Sequence, residues 1–422
     1  MNVKFQSTSN KEHECLQGKS FLFVGPYPPP YGGVSSHLAE LGKGLSDLGC
    51  QFNVLHFSVK GSSDEYINGA HVHRIANRIS LGLMVFAMRF SFRIIKIFLL
   101  WMSEVYKNPR LYTSSIIQAF HVARVTKKTN ANIVTIYTTR VGALIPFLRY
   151  LMPKLVINYC TYADPFINPD FYKRHHVWYK KAITLSDNVF SSSAYCASAI
   201  KIFTQAVIPK VIYVGVDTDR FYPVSDISEP RIKLGLSKDK NIILFVGRME
   251  AEMGADSALN IAIKMVVEND DITFVIVGAE GALTEVIKQK ASQFEGRIIC
   301  RVNVPAKDLP HYYAAATLII APTLGAHACM GVSIKEAMSS GKPTVVSNSG
   351  GIPEAVRHDI DGLIVPLDDK GKIDINGFDK AVKLIIDNKN IRQNFGENAR
   401  TRAIEIFSNQ STLREYVKLL TI

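Results

Sequence analysis

Tryptophan occurs only twice in the 422 residues, and no stretch long enough to span a bilayer is both apolar and free of charge. The first scarcity says little, but the second argues against an ordinary transmembrane helix. The six cysteines (Cys15, Cys50, Cys160, Cys196, Cys300 and Cys329) form no CxxC pair and show no metal-ligand spacing. That argues against a disulfide framework or a zinc ribbon and fits small buried hydrophobes in a reducing compartment. Met1 to Lys19 is polar and lacks the apolar core of a signal peptide, so the expected location is the cytoplasm. Internal repeats of solenoid length and low-complexity tracts are also missing.

An acidic excess is absent too, and its opposite is unevenly placed. Residues 1–220 hold 25 Lys/Arg against 12 Asp/Glu, a net of +13. Residues 221–422 hold 24 against 25, a net of −1. A basic half beside a neutral one points to an anionic partner for the first half: membrane lipid, a phosphate-bearing acceptor or nucleic acid. No basic motif interleaved with aromatics is present, so nucleic acid is not expected. The length predicts two domains of about 200 residues.

What is there is alternation. Phe21–Val24 reads as a buried strand, followed by a loop containing Gly32 and Gly33 and then a periodic helix (Val34, Leu38, Leu41, Leu45). This geometry lets backbone approach a phosphate, although a tight βα loop serves equally. His37, one turn into that helix, is an acceptor-side candidate or a plain helix surface residue. Further strands are expected at Gln51–Phe57, His71–Ile75, Ile133–Tyr137 and Leu155–Tyr159. Tyr137, Tyr162 and Asp164 stand at strand ends, where an open α/β sheet lines its crevice. They are acceptor candidates, or simply turn formers. Lys173–His176 with Lys180 and Lys181 is a basic face for an anionic acceptor or for solvent.

Leu81 to Lys107 reads as one long helix that is apolar apart from Arg89, Arg93 and Lys96. Each such charge at a bilayer centre costs roughly 2.5–3.5 kcal/mol. Their spacing puts them on one face, opposite Phe, Met and Trp101, as in a helix lying in the membrane interface. The competing reading packs the helix on the sheet with its basic stripe in water.

The second half alternates strand and helix from Ile242 to Pro366, predicting a parallel sheet covered on both sides. Three closing helices follow, at Asn376–Asn388, Ile391–Ser408 and Gln410–Leu420. Pro322–Glu354 is the chemically distinctive part: a loop, Gly331, a helix from Val332 to Ser339, a strand at Thr344–Ser347, and a glycine loop at Gly350-Gly351 opening a second helix. Helix N-termini offer free N–H groups to an anion, here those of Val332 and Ser333. Glu336 adds one acceptor carboxylate, as ribose hydroxyls need. Gly247-Arg248 ends the strand Ile242–Val246, and Arg248 is placed to grip a diphosphate with a charge-assisted fork, or to pair with Glu250 or Glu252.

These residues resemble the donor-binding signature of retaining GT-B glycosyltransferases of family four, the glycosyl transferases group 1 type. Glu336, Gly331, Gly341–Pro343 and the GGxPE loop Gly350–Glu354 match it. Gly215–Pro223 resembles the family's NGVDxxxF element, with Val214 in place of asparagine. Two positions depart: Met253 stands where a diphosphate-binding lysine is usual, and Ala328 where a first glutamate holds hydroxyls of the transferred sugar.

The resemblance implies an α/β GT-B fold, two Rossmann-like doubly wound domains facing across a cleft, with Gly32 and Gly33 turned to the donor. The expected parts are a polar leader (1–19), an acceptor-binding domain (20–222), a linker (223–237), a nucleotide-sugar-binding domain (238–405) and a C-terminal helix (406–422) crossing back. It further implies transfer of a sugar, with retention, from a UDP- or GDP-linked donor to a glycan or lipid-linked acceptor. No metal or other cofactor is expected, and Arg248 and Glu336 carry the chemistry. The apolar-basic helix and family habit together point to bacterial surface polysaccharide synthesis on the inner face of the plasma membrane. The alternative, which Met253 and Ala328 support, is an impaired relative that binds nucleotide or glycan as a partner protein.

Overall fold

The computed structural model describes residues 16–28, 33–58, 61–89, 91–325 and 329–421. It divides into two compact units: Met1–Tyr213 with Thr412–Ile422, and Val214–Ser411.

The N-terminal unit is built on an eight-stranded sheet. Its strands are β1 (Ser20–Val24), β2 (Gln51–Ser58), β3 (Ser63–Ile67), β4 (Ala70–Ala76), β5 (Ile133–Tyr137), β6 (Val156–Thr161), β7 (Asn188–Ser191) and β8 (Lys210–Val211). The order is β3-β4-β2-β1-β5-β6-β7-β8, so the winding reverses between β1 and β5. All pairs are parallel except β3 with β4. Strands buried on both faces read as continuous apolar runs, as Phe21–Val24 and Ile133–Tyr137 do. β3 is polar (SDEYI) and escaped the hydrophobic pattern. Its signal was the turn: Asn68 (φ 49°) and Gly69 (φ 80°) form the Asn-Gly connection that suits a two-residue hairpin.

The helix Asn409–Leu420 closes this unit. Its Leu413, Val417 and Leu420 are buried with Leu38, Leu45 and Val54. Each such side chain contributes about 1.5–3 kcal/mol by leaving water.

The C-terminal unit has six parallel strands: β9 (Asn241–Val246), β10 (Ile272–Gly278), β11 (Ile298–Val302), β12 (Leu318–Ala321), β13 (Thr344–Ser347) and β14 (Gly362–Val365). Their order is β11-β10-β9-β12-β13-β14, with the reversal between β9 and β12. A crevice opens at the carboxyl ends of strands flanking such a switch point.

Several expectations change. Residues 223–237, read as a linker, carry the helix Ser228–Leu234 and belong to the C-terminal unit. Arg231 pins that helix, donating to the carbonyls of Ala315, Lys238 and Lys240. The Gly215–Pro223 element also belongs there: Lys335 donates to Val214 O at 2.6 Å, and Arg400 to Thr218 O and Phe221 O. The long helix expected over 81–107 is two helices, Leu81–Met88 and Ser91–Val105, with Arg89 at the end of the first. After Gly351 there is one 3₁₀ turn, Ile352–Glu354, and no helix.

Candidate active site

Three loops meet at the carboxyl edge of the C-terminal sheet. The first follows β9 and holds Gly247, Arg248 and the short turn Ala251–Met253. The second follows β12, and the third follows β13. Gly254 has φ 79°, and a Cβ there would lie 2.0 Å from Pro322 O, so loops one and two touch at a point only glycine fits. Thr323 Oγ1 donates to Met253 O at 3.4 Å, Ser347 Oγ to Thr323 O at 2.5 Å, and Gly325 N to Ser349 Oγ at 2.9 Å. Backbone polar groups of all three loops are thus spent on one another, which fixes the rim of the crevice.

The helix Val332–Ser339 rises from this rim. Gly331 precedes it with φ 67°, and no side chain caps it. The N–H groups of Val332 and Ser333 belong to the first turn, whose donors have no partner inside a helix. Glu336 lies one turn on. Tyr313, buried in the helix Leu309–Ala315, donates its hydroxyl to Glu336 Oε2 at 2.8 Å. Burial raises the Glu336 carboxyl above the usual range; the Tyr313 hydrogen bond and the charges of Arg220 and Lys335 oppose that rise. Phe221 stands edge-on to the Tyr313 ring at 5.5 Å, placing the Gly215–Pro223 element behind the carboxylate. Lys335 points the other way, to Val214 O, and burial lowers its ammonium to about 8.

Arg248 pairs with Glu250 at 3.3 Å, one of the two readings of its sequence, and its side chain remains 55% exposed. An exposed pair of this kind is weak enough for an anion to compete. Met253 ends its turn half-buried. Gly32 and Ala328 lie outside the described residues. Gly33 is the exposed first residue of the helix Gly33–Asp47.

The acceptor candidates separate into two sets. His37 is buried, which corrects its reading as a surface residue: its ring packs against Tyr137 and Tyr416, with Nε2 3.4 Å from the Tyr416 hydroxyl. The hydroxyls of Tyr137 and Tyr416 bond each other, so Tyr137 is a core residue covered by the last helix. Tyr162, in the loop after β6, and Asp164, the first residue of the one-turn helix Asp164–Ile167, remain half-exposed. That loop is tied to the one after β5, since Tyr162 N donates to Thr139 Oγ1 at 2.9 Å. Sequence reasoning passed over Thr138, a β-branched residue held at φ 76° where β5 ends. Such strain persists only where the surroundings enforce it and gathers at functional sites.

The proposed membrane face is also rearranged. Trp101 is half-buried and donates to Thr113 Oγ1 at 3.3 Å, while Arg93, though exposed, spends a donor on Leu151 O at 2.6 Å. Arg89 and Lys96 are exposed. The outward face of Ser91–Val105 is apolar: Ile95, Phe98, Leu99 and Met102 follow helical spacing, with Ile95 62% and Leu99 61% exposed. No helix among the described residues is long and apolar enough to cross a membrane. Asp64, His71 and His73 bring ligating atoms within 4.8 Å of one another on the β3–β4 hairpin, a cluster that sequence spacing did not reveal.

Residues 226–402 match the family described as glycosyl transferases group 1. The D-inositol 3-phosphate glycosyltransferase of Frankia alni is 28% identical over 165 residues, 37% of this chain and 40% of that one. The chain spans about half or less of the length of the curated relatives it matches. Among solved structures, sucrose-phosphate synthase from Thermosynechococcus elongatus has a TM-score of 0.74 at 16% identity, covering 95% of this chain and 98% of that one. HepE from Anabaena in complex with UDP has a TM-score of 0.71 at 18% identity, covering 96% and 99%. Both are likenesses of fold. The chain has the α/β GT-B fold and carries, over residues 226–402, a domain of the glycosyl transferases group 1 family.

Proposed function

We propose that this chain transfers a sugar, with retention, from a nucleoside-diphosphate donor to a membrane-associated or anionic saccharide acceptor in surface polysaccharide synthesis. The observation that carries this reading is Glu336: a half-buried carboxylate, oriented from behind by Tyr313, one turn inside a helix N-terminus that follows Gly331 at the switch point. The helix N–H groups and Arg248 suit a diphosphate, and the carboxylate suits the ribose hydroxyls. UDP is the first nucleotide to try, since HepE holds it; a GDP-linked donor is the second. The charge of the leaving diphosphate is met by fixed dipoles and a guanidinium, so the transfer is written without a metal. Its own phosphate oxygen takes the acceptor proton, as in the family resembled. The exposed apolar face of Ser91–Val105, flanked by Lys96, supports an acceptor held at the cytoplasmic face of the membrane.

A second reading rests on Met253. Without the lysine usual there, the donor loses one charge-assisted contact, about 1.5–3 kcal/mol, and the chain then binds nucleotide without turnover. A panel of UDP-, GDP- and ADP-sugars separates the two, assayed on this chain and on Met253→Lys with Ala328→Glu. Transfer by the unmodified chain supports the first reading. Transfer only by the double variant supports the second, and absence of nucleotide binding in both overturns both.

A further inference from the structure

A cavity of about 420 Å³ opens on the flank of the N-terminal unit, between the β3–β4 hairpin and the later turns of the helix Pro109–Thr129. Its lining holds Arg74, Arg78, Arg124 and Lys128 against a single carboxylate, Asp64. Asp64 is already engaged: Lys128 Nζ lies at 2.6 Å and His73 Nδ1 at 2.8 Å. Arg74 reaches Pro28 O at 2.7 Å and Glu65 at 3.4 Å. Arg78 and Arg124 are exposed, and neither forms an ion pair among the described residues. A Cβ on Gly82 would meet Arg124 Nη1 at 3.4 Å, so this guanidinium lies against the start of the helix Leu81–Met88.

Two histidines complete the wall. His73 and His121 are 1% and 4% exposed. A carboxylate and a carbonyl can only accept, so His73 carries its proton on Nδ1, facing Asp64, and His121 on Nε2, facing Arg78 O at 3.1 Å. That leaves His73 Nε2 and His121 Nδ1, both buried and without a partner among the described residues. Leaving such atoms unpaired is costly. The pocket therefore offers guanidinium donors at its mouth, over a wall whose two unpaired imidazole nitrogens are sealed from solvent.

We infer that this pocket binds a phosphate group that carries a neighbouring hydroxyl. The non-bridging oxygens accept from Arg78 and Arg124, and the hydroxyl donates to an imidazole nitrogen that a small shift of the His73 or His121 ring uncovers as the ligand enters. A divalent cation on Asp64, His71 and His73 fits less well, because it would have to displace Lys128 from the carboxylate and sit beside Arg74. The larger cavity of the C-terminal unit, about 750 Å³, is also basic, but there Arg231, Lys342 and Arg400 spend their donors on main-chain carbonyls.

Two sources supply this chemistry: a phosphoglycerol lipid headgroup or a soluble polyol phosphate. Ser80 lines the pocket and caps the helix Leu81–Met88, whose Met84, Val85 and Met88 are exposed, so a lipid face adjoins the site. The full chain is titrated with glycerol 3-phosphate, and with phosphatidylcholine vesicles with and without phosphatidylglycerol, beside Arg78→Ser/Arg124→Ser and His73→Asn/His121→Asn. The expected result is that the arginine double variant weakens glycerol 3-phosphate binding at least about tenfold, with its melting temperature unchanged. Loss of phosphatidylglycerol-dependent vesicle binding in the same variant assigns the lipid source; its persistence assigns the soluble one. Affinity that depends on neither arginine, or zinc binding in place of phosphate, overturns the proposal. UDP titration of each variant is the control. Because the pocket lies in the N-terminal unit, its failure leaves UDP binding, and the sugar-transfer reading, intact.

Discussion

The hydroxyl of Tyr313 donates to Glu336 Oε2 at 2.8 Å and holds a carboxylate that burial would otherwise drive further toward its neutral form. The sign of the pH effect follows. The Glu336 pKa is raised, so its charge is lost as pH falls through a value above the ordinary carboxylate range of about 4. A reaction that needs the carboxylate therefore has an acid limb displaced to higher pH. Tyr313→Phe removes the opposing hydrogen bond and moves that limb higher still, with about tenfold lower kcat/KM on the plateau. A pH profile of kcat/KM for the two proteins checks this; an unmoved limb separates Glu336 from the chemistry.

Arg248 and Met253 flank one loop with opposite consequences. Arg248→Ala is expected to weaken UDP binding about ten- to hundredfold. The melting temperature should hardly change, because the pair with Glu250 is exposed and contributes at most about 1 kcal/mol. Met253→Lys restores a cation and should strengthen UDP binding by a similar factor. Calorimetric titration of both variants measures the two shifts together.

Gly254 tests the rim. Alanine there needs φ near 79° and a Cβ 2.0 Å from the carbonyl oxygen of Pro322, and that backbone cannot step aside cheaply. The expected cost is about 2–3 kcal/mol of stability. UDP binding should weaken with it, as the loops after β9 and β12 part. Denaturant unfolding of Gly254→Ala alongside the parent gives the first quantity, and nucleotide titration the second.

The legibility of the chain followed its apolar pattern. β1, β5, β9, β10, β12 and β13 were readable because strands buried on both faces are rich in Val, Ile, Leu and Phe. β3 was not, since an edge strand can be Ser-Asp-Glu-Tyr-Ile and still pair through its backbone. On the donor side, glycines and Glu336 have local spacing and could be placed. Tyr313 acts on Glu336 from 23 residues away, and only the fold brings them together. His37 and Tyr137 looked available because nothing local announces that Tyr416, from the far end of the chain, covers them.

The outward face of Ser91–Val105 makes a separate prediction. Phe98→Asp with Leu99→Asp places two carboxylates on an exposed surface, so folding should be unaffected. Apolar burial of both rings and chains in an interface would be lost, roughly 1.5–3 kcal/mol each, and flotation with vesicles containing anionic lipid should fall at least about tenfold. Equal flotation of parent and variant removes this face from the membrane reading.

Lys335 gives a pH-stability signature of the element behind Glu336. Its ammonium is buried against Val214 O and lowered to about 8, while the unfolded chain keeps the ordinary value near 10.4. Between those two values the unfolded state binds the proton and the folded state does not, so folding stability rises with pH across this window. The gain approaches roughly 3 kcal/mol by pH 10.5. Lys342, lowered to a similar value by burial, adds a rise of the same sign. Lys335→Met keeps the apolar stem and removes only the titrating group, so the parent should gain stability on the variant between pH 8 and 10.5. Below pH 8 the difference should be flat, leaving the hydrogen bond to Val214 O as the remaining contribution. Denaturant unfolding of both proteins across this range measures the difference directly, and a constant difference would place the Lys335 ammonium in water instead of in the core.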